Sequence, residues 1–546
     1  MGRGVRPVTP RERSVVVIGG GIAGLATAAL LARDGYRVTL LEQHDDIGGR
    51  VGAWESGGFR FDTGPSWYLM PEVFDHFFRL FGTSTAEQLD LVTLDPGYRV
   101  FFEGGTEPLD VSADGSENRA MFERVQPGAG AGLDRYLASA RETYRLAVDR
   151  FLYSTFASFR PLLVPELLGR LGRLGRLLLQ PLDRFAAHYV KDARLRQILG
   201  YPAVFLGTSP SRAPSMYHLM SHLDLEDGVR YPLGGFRVII DRIAALAERE
   251  GVRIETGARV TAIRSADADS DTDEPGRRPH VTGVDYVADG VAHRLEAGVV
   301  VSAADLHHTE TELLREGRSS YRERWWKRRD PGPGAVLVLL GVRGALPELA
   351  HHSLFFTTDW ADNFDRIYGA NPSIPDPASL YVCRPSATDE SVAPPGCENL
   401  FVLIPVPADP TIGAGGIDGA GDALVEQTAD AAIGQIAAWA GIPDLADRIV
   451  VRRTIGPGDF ATDLNAWRGG ALGPAHTLRQ SAFFRGRNAS AVVDGLLYAG
   501  GSTIPGVGLP MCLISAELAV KRLRGDESTG PLTEPLTATL DGERVA

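Results

Sequence analysis

The chain is poor in cysteine. Its 546 residues hold three, Cys383, Cys397 and Cys512. They form no close-spaced ligand set, which argues against a bound metal and a disulfide framework and fits a reducing compartment. It is also short of positive charge, with 56 Lys and Arg against 69 Asp and Glu and a net charge of −13. A nucleic-acid partner is disfavoured, because such proteins carry a basic footprint. No stretch reaches the roughly 18 apolar residues of a spanning helix. Arg3, Arg6, Arg11 and Arg13 open the chain, but no apolar segment ending in a cleavage site follows, so no signal peptide is expected. Ser/His/Asp nucleophile patterns, a P-loop and H-E-x-x-H are all missing. An acidic run, Asp267, Asp269, Asp271, Asp273 and Glu274, lacks the central Gly and closing Glu of a calcium loop. It reads as a solvated hairpin loop.

What is present points to an α/β protein. Hydrophobic residues make up 44% and charged residues 23%, as in soluble globular proteins, and the length allows several domains or one composite one. Ser14–Gly19 is a β-branched run that reads as a buried parallel strand, Leu25–Arg33 as a helix, and Arg37–Glu42 as a second buried strand. Together they form a β-α-β unit. Its turn, Gly19-Gly20-Gly21-Ile22-Ala23-Gly24, matches G-x-G-x-x-G. Gly19 permits the tight turn, Gly21 lets the backbone approach a pyrophosphate, and Gly24 lets helix and strand pack closely. Ile22 and Ala23 open the helix, whose free N–H groups face the phosphates. Glu42 ends the second strand, where a carboxylate can bond ribose hydroxyls.

Gly48, Gly49 and Arg50 follow closely and supply N–H groups and a fixed cation for phosphate oxygens, which favours FAD over NAD. Phe59–Pro65, with Asp62, Gly64 and Pro65, comes next. This ordering resembles the amine oxidase and carotenoid desaturase group of flavoproteins. The resemblance implies that Arg50 lies along FAD and that the D-x-G segment borders the flavin. Leu497–Pro510 (LYAGGSTIPGVGLP) resembles the bacterial phytoene desaturase signature G-x-G-T-H-P-G-x-G-I-P-G. Gly500, Thr503, Pro505, Gly506, Gly508 and Pro510 keep it, while Ile504 replaces the usual His and Met511 a frequent Gly. The resemblance places Gly500, Gly501, Gly508 and Met511 at the flavin. Tyr201–Gly207, Pro214–Met220 and Tyr231–Phe236 look like the middle of such desaturases, and Glu255–Ile263, containing Val260, like the strand that flanks the adenine.

The expected architecture is a Rossmann-like FAD-binding domain, a parallel sheet with helices, assembled from residues 14–90, 216–311 and 486–525. Residues 91–215 are expected to form a helical or mixed substrate and membrane-associating region, and 312–485 a mixed-sheet substrate domain. Residues 1–13 and 526–546 read as loose tails. Within Phe151–Phe185, Leu167, Leu171, Leu174 and Leu178 share a helical face with Arg170, Arg173 and Arg176 nearby, and Glu166 is the only acid from 151 to 182. That suits a helix in an anionic membrane interface or a core helix with a solvated basic face. Gly169, Gly172 and Gly175 weaken it by about 1 kcal/mol each relative to Ala.

The resemblance implies FAD-dependent desaturation of phytoene or a related carotenoid, bound in an apolar tunnel, by a cytoplasmic protein peripheral to the inner face of the cell membrane. A carotenoid isomerase using flavin without net redox and a soluble amine or porphyrinogen oxidase are the alternatives. Dehydrogenation also needs a proton acceptor. His218, His222 and Asp224 lie in the family-like middle segment, but the sequence selects no catalytic residue, hydrogen-bonded helix histidines being the default.

Overall fold

The computed structural model describes residues 13–105, 107–157, 169, 171–267 and 278–539. Strands β1 (Ser14–Ile18), β2 (Arg37–Leu41), β3 (Arg253–Glu255), β4 (Val299–Ser302) and β5 (Leu496–Tyr498) form one sheet in the order β5-β4-β1-β2-β3. Every pairing in it is parallel. The apolar runs of β1 and β4 are buried because helices cover the sheet. Helix α1 (Ile22–Arg33) is buried from Ile22 to Leu31 and packs against α2 (Arg237–Arg249) and α3 (Leu509–Arg524). A helix apolar on all sides must be covered on all sides. Strand order reverses between β1 and β4, so the carboxyl ends of these strands bound a crevice suited to a ligand.

A seven-stranded mixed sheet lies beside it. Its order is Ile449–Ile455, Gly334–Arg343, Cys397–Val406, Leu380–Cys383, His352–Phe356, Tyr98–Phe102 and Leu109–Val111. Side chains of Gly334–Arg343 alternate between two apolar layers. Val336, Val338, Leu340 and Val342 meet the helix Ala423–Ala440, while Ala335, Leu337 and Leu339 meet Phe59 and Phe61. That two-residue period, buried on both faces, explains a nearly unbroken apolar strand.

Several expectations change. The last two strands of this sheet come from residues 91–215, so the substrate sheet is not confined to 312–485. The strand expected over Glu255–Ile263 is broken at Gly257, which has φ +63°; β3 ends before it, and Ala258–Ala266 joins a separate three-stranded antiparallel sheet. The segment 526–539, read as loose from its polarity, is packed. Leu532 and Leu536 are buried, and the Lys521 ammonium donates to the carbonyls of Tyr153, Ser528 and Gly530. Leu171–Leu179 is a helix carrying Arg173, Leu174, Arg176 and Leu178, whereas Leu167 and Arg170 lie outside the described residues. So do Asp269, Asp271, Asp273 and Glu274 of the acidic run; Asp267 pairs with Arg318. No described helix is long and apolar enough to cross a membrane.

A glycine-lined crevice at the sheet switch point

The first turn is built as its spacing demands. Gly19 has φ +99° and its N–H donates to Leu41 O at 2.8 Å. A Cβ on Gly24 would lie 1.9 Å from Gly19 O, so only glycine lets α1 approach the strand end. A Cβ on Gly21 would meet nothing nearer than Gly48 O at 3.8 Å. Space is therefore left at the residue that caps α1 without a side chain, beside the first free N–H groups of Ile22 and Ala23. Such a cradle fits a pyrophosphate.

Glu42 is buried, and its carboxylate accepts from Gly20 N at 2.6 Å and His44 N at 2.9 Å. These bonds fix it at the crevice edge while leaving further lone pairs for hydroxyls. Glu42→Ala should cost about 1–3 kcal/mol in urea unfolding, because two N–H donors lose their acceptor. Val260 is buried with Leu41 on the strand that starts at Ala258, whose N–H donates to Glu42 O. The structure thus brings Val260 to the Glu42 end of β2.

Gly48 and Gly49 lie directly on the first turn. Gly48 N donates to Gly20 O at 2.9 Å, and a Cβ on Gly49 would lie 3.4 Å from Gly21 Cα. Arg50 Nε donates to Ala471 O at 2.8 Å, which fixes its guanidinium beside the paired glycines. Gly64, followed by Pro65, folds back so closely that a Cβ would meet Arg50 O at 1.9 Å. Asp62 accepts from Phe236 N at 2.9 Å and Arg237 N at 3.3 Å, at the start of α2. Burial pushes its carboxyl up to about 6. The D-x-G and Tyr231–Phe236 motifs, far apart in sequence, are therefore one structural unit. Asp62, Gly64, Ser66, Tyr231 and Cys383 line a cavity there.

Gly500 brings the C-terminal loop to the same crevice, where its Cβ would lie 3.5 Å from that of Ala23. Gly500 N donates to Ser515 Oγ at 2.9 Å, and Thr503 Oγ1 donates to Gly500 O at 2.9 Å. Gly501 follows, Gly508 has φ +112° at the cap of α3, and Met511 sits in the first turn. Ile504 is buried in the core of the parallel-sheet domain, so at this position an apolar contact takes the place of a polar side chain. Two contributors carried no sequence signal. Buried Arg485 donates to the carbonyls of Gly501 at 2.5 Å and Thr503 at 3.1 Å, and His476 Nε2 accepts from Val507 N at 3.2 Å. Both sit outside any motif.

Beyond the D-x-G segment lies an aromatic cluster. Trp67 stacks on His352 with centroids 4.4 Å apart and meets Tyr98, Tyr201, Phe205 and Tyr381. Under it, fully buried Asp224 accepts from Tyr201 Oη at 2.6 Å and Tyr98 Oη at 3.0 Å. Burial raises its carboxyl from 3.8 to about 7. Between those values the folded protein holds a proton that the unfolded chain has released. Asp224 should therefore make stability fall as pH rises from about 4 to 7, by on the order of 3–4 kcal/mol, and then level off. Asp224→Asn should flatten that slope in urea unfolding at pH 5 and pH 8. His218 has both ring nitrogens engaged, by Ser215 O and Ser139 Oγ, and burial lowers it to about 4; His222 Nδ1 bonds Glu226.

Among the described residues, His351, His352 and Cys383 form one group of metal-ligating side chains, brought together because His352 and Cys383 pair across neighbouring strands. Burial pushes the Cys383 thiol up to about 12 and holds His352 neutral, with its Nδ1 bonded to Tyr381 Oη at 2.7 Å. The group is a wall of the aromatic cluster.

Residues 22–524 match the model of the flavin containing amine oxidoreductase family. The chain is 40% identical over 512 residues to a carotenoid 3,4-desaturase of Haloarcula japonica, covering 94% of this chain and 98% of that one. It is 34% identical over 520 residues to a zeta-carotene-forming phytoene desaturase of Myxococcus xanthus, covering 94% of each. The fold is shared with cyclohexylamine oxidase from Brevibacterium oxydans at 14% identity and a TM-score of 0.55, over 94% of this chain and 99% of that one. With a glycine crevice complete at the switch point and these relatives along nearly its whole length, the chain belongs to the flavin containing amine oxidoreductases, in the group that holds the carotenoid and phytoene desaturases.

Proposed function

We propose that the protein desaturates phytoene or a related carotenoid, with FAD as its cofactor. The observation that carries this is the aromatic cluster around Trp67, which adjoins the glycine-lined crevice through Gly64–Ser66. An extended hydrocarbon offers no polar handle, so its binding must come from such apolar and aromatic surface. In this reading Gly19, Gly21, Ile22, Ala23 and Gly24 hold the pyrophosphate, Glu42 the ribose, and the Val260 strand flanks the adenine. Gly48, Gly49 and Arg50 meet phosphate oxygens, while Gly64, Pro65, Gly500, Gly501, Gly508 and Met511 border the flavin ring. When bound, FAD supplies the acceptor for a hydride taken from one carbon as a proton leaves its neighbour. The protein's own part is to lay the chain of the substrate along the aromatic wall and exclude water.

The 40% identical relative is named a carotenoid 3,4-desaturase, and this favours a second reading in which the substrate is an already partly desaturated or end-modified carotenoid. Because such substrates dissolve only in lipid, the protein works at the inner face of the cell membrane. Purified protein with FAD and phytoene-loaded liposomes should give products absorbing at longer wavelength. Geometric isomers alone would indicate an isomerase, and an unchanged spectrum with phytoene and with partly desaturated carotenoids would remove the carotenoid reading.

A further inference from the structure

The helix Leu171–Leu179 is not the only apolar surface on its side of the molecule. Phe483 and Phe484 stand next to each other on a short turn and are 46% and 47% exposed. Phe156 packs against Phe483 with centroids 6.2 Å apart. The turn Ser215–Leu219 ties these aromatics to the helix. Ser215 Oγ donates to Leu177 O at 3.1 Å, and two residues on, Tyr217 Oη donates to Ser481 Oγ at 2.9 Å. Leu178 and Leu179, 37% and 75% exposed, end the helix. Single exposed apolar residues need no explanation, but four large ones flanking one turn form a patch.

The patch has a basic border from a segment remote in sequence. Arg322, Arg324, Lys327, Arg328 and Arg329 run together with Glu323 as the only acid, in a chain of net charge −13. Tyr321 Oη accepts from Arg487 N at 2.7 Å, and the Arg329 guanidinium donates to Arg479 O, so this segment flanks the 479–487 loop on both sides of the phenylalanines. The Arg329 guanidinium lies 4.2 Å from the Trp325 ring centroid. Exposed aromatics ringed by cations, with a tryptophan at the border, are the composition of a surface that sits in an anionic lipid interface. The same loop leads inward. Tyr217 Oη is also 2.9 Å from His476 Nδ1, and His476 accepts from Val507 N within the C-terminal glycine loop. Arg485, next in sequence to Phe484, bonds the same loop directly at Gly501 O and Thr503 O.

We propose that Phe483 and Phe484 insert into an anionic bilayer, with Leu178 and Leu179 beside them and Lys327 and Arg328 on the lipid headgroups, so that a lipid-dissolved substrate enters next to the Gly500–Pro510 loop. The inference rests on the carotenoid reading for its purpose, though not for its test. Holoprotein should co-sediment with vesicles of phosphatidylcholine and phosphatidylglycerol far more than with phosphatidylcholine alone. A Phe483→Ser, Phe484→Ser double variant should lose at least about tenfold in partitioning. Lys327→Glu with Arg328→Glu should lose the preference for phosphatidylglycerol, and high salt should mimic that loss. Both variants should keep wild-type turnover with substrate in detergent micelles. If the double variant loses its flavin, Phe484→Trp takes its place, and its added indole fluorescence should be quenched by brominated lipid. Wild-type partitioning by the double variant, or an unquenched indole, would overturn the proposal. Vesicle binding without turnover in micelles would instead count against the desaturase reading alone.

Discussion

Gly24→Ala should yield a protein that retains no flavin and is less stable by about 3 kcal/mol or more. The added methyl would sit 1.9 Å from Gly19 O, a backbone atom that cannot swing aside. Helix α1 must then move off β1. Because α1 is buried from Ile22 to Leu31, that displacement is transmitted to α2 and α3. Gly21→Val should behave differently. Gly21 has φ −72° and open space at its Cβ, so the fold should hold while the side chain fills the volume where the pyrophosphate would lie. Flavin absorbance per mole of protein and urea unfolding separate the two cases. A yellow, fully occupied Gly24→Ala protein would show that the packing argument is wrong, and a yellow Gly21→Val protein would show that the phosphate site is elsewhere.

Asp34→Ala should cost about 3–5 kcal/mol, because it leaves the largely buried Arg524 guanidinium and both Thr539 donors without their acceptor. Asp34 is fully buried at the end of α1. It accepts from Arg524 at 2.6 and 3.1 Å and from the backbone N and hydroxyl of Thr539, each at 2.9 Å. One carboxylate therefore joins α1, the end of α3 and the C-terminal segment. Replacing both Asp34 and Arg524 by Ala should destabilise less than the sum of the single changes, because no uncompensated charge remains. The single variant should also lose protection of residues 526–539 from proteases. An Asp34→Ala protein within about 1 kcal/mol of wild type in urea unfolding would refute the role.

The glycine motifs were legible because each demands a local geometry. A turn at φ +99° and a Cβ 1.9 Å from a carbonyl leave their mark on residue type whatever the rest of the chain does. The buried strands were legible for a similar reason, as runs of Val, Ile and Leu covered on both faces. Arg485 and His476 were not. A polar residue that serves by reaching carbonyls or an amide elsewhere in the chain imposes no spacing on its neighbours. Within residues 91–215, read as helical or mixed, the strands Tyr98–Phe102 and Leu109–Val111 could not be placed from sequence, because they pair at the edge of a sheet whose other strands lie more than two hundred residues away. The polar tail misled in the opposite direction, since two leucines and a few carbonyls suffice to hold it on a surface already prepared for it.

By itself the sequence determined the G-x-G-x-x-G turn, the paired glycines beside it and the closing glycine loop, because steric limits on the backbone act within a few residues. Tertiary structure alone decided that these three segments share one crevice, that Asp62 joins the D-x-G segment to α2, and that the segment Tyr321–Arg329 flanks Phe483 and Phe484. Those are juxtapositions of distant segments, set by how the two sheets and their helices pack, and the order of residues along the chain does not record them.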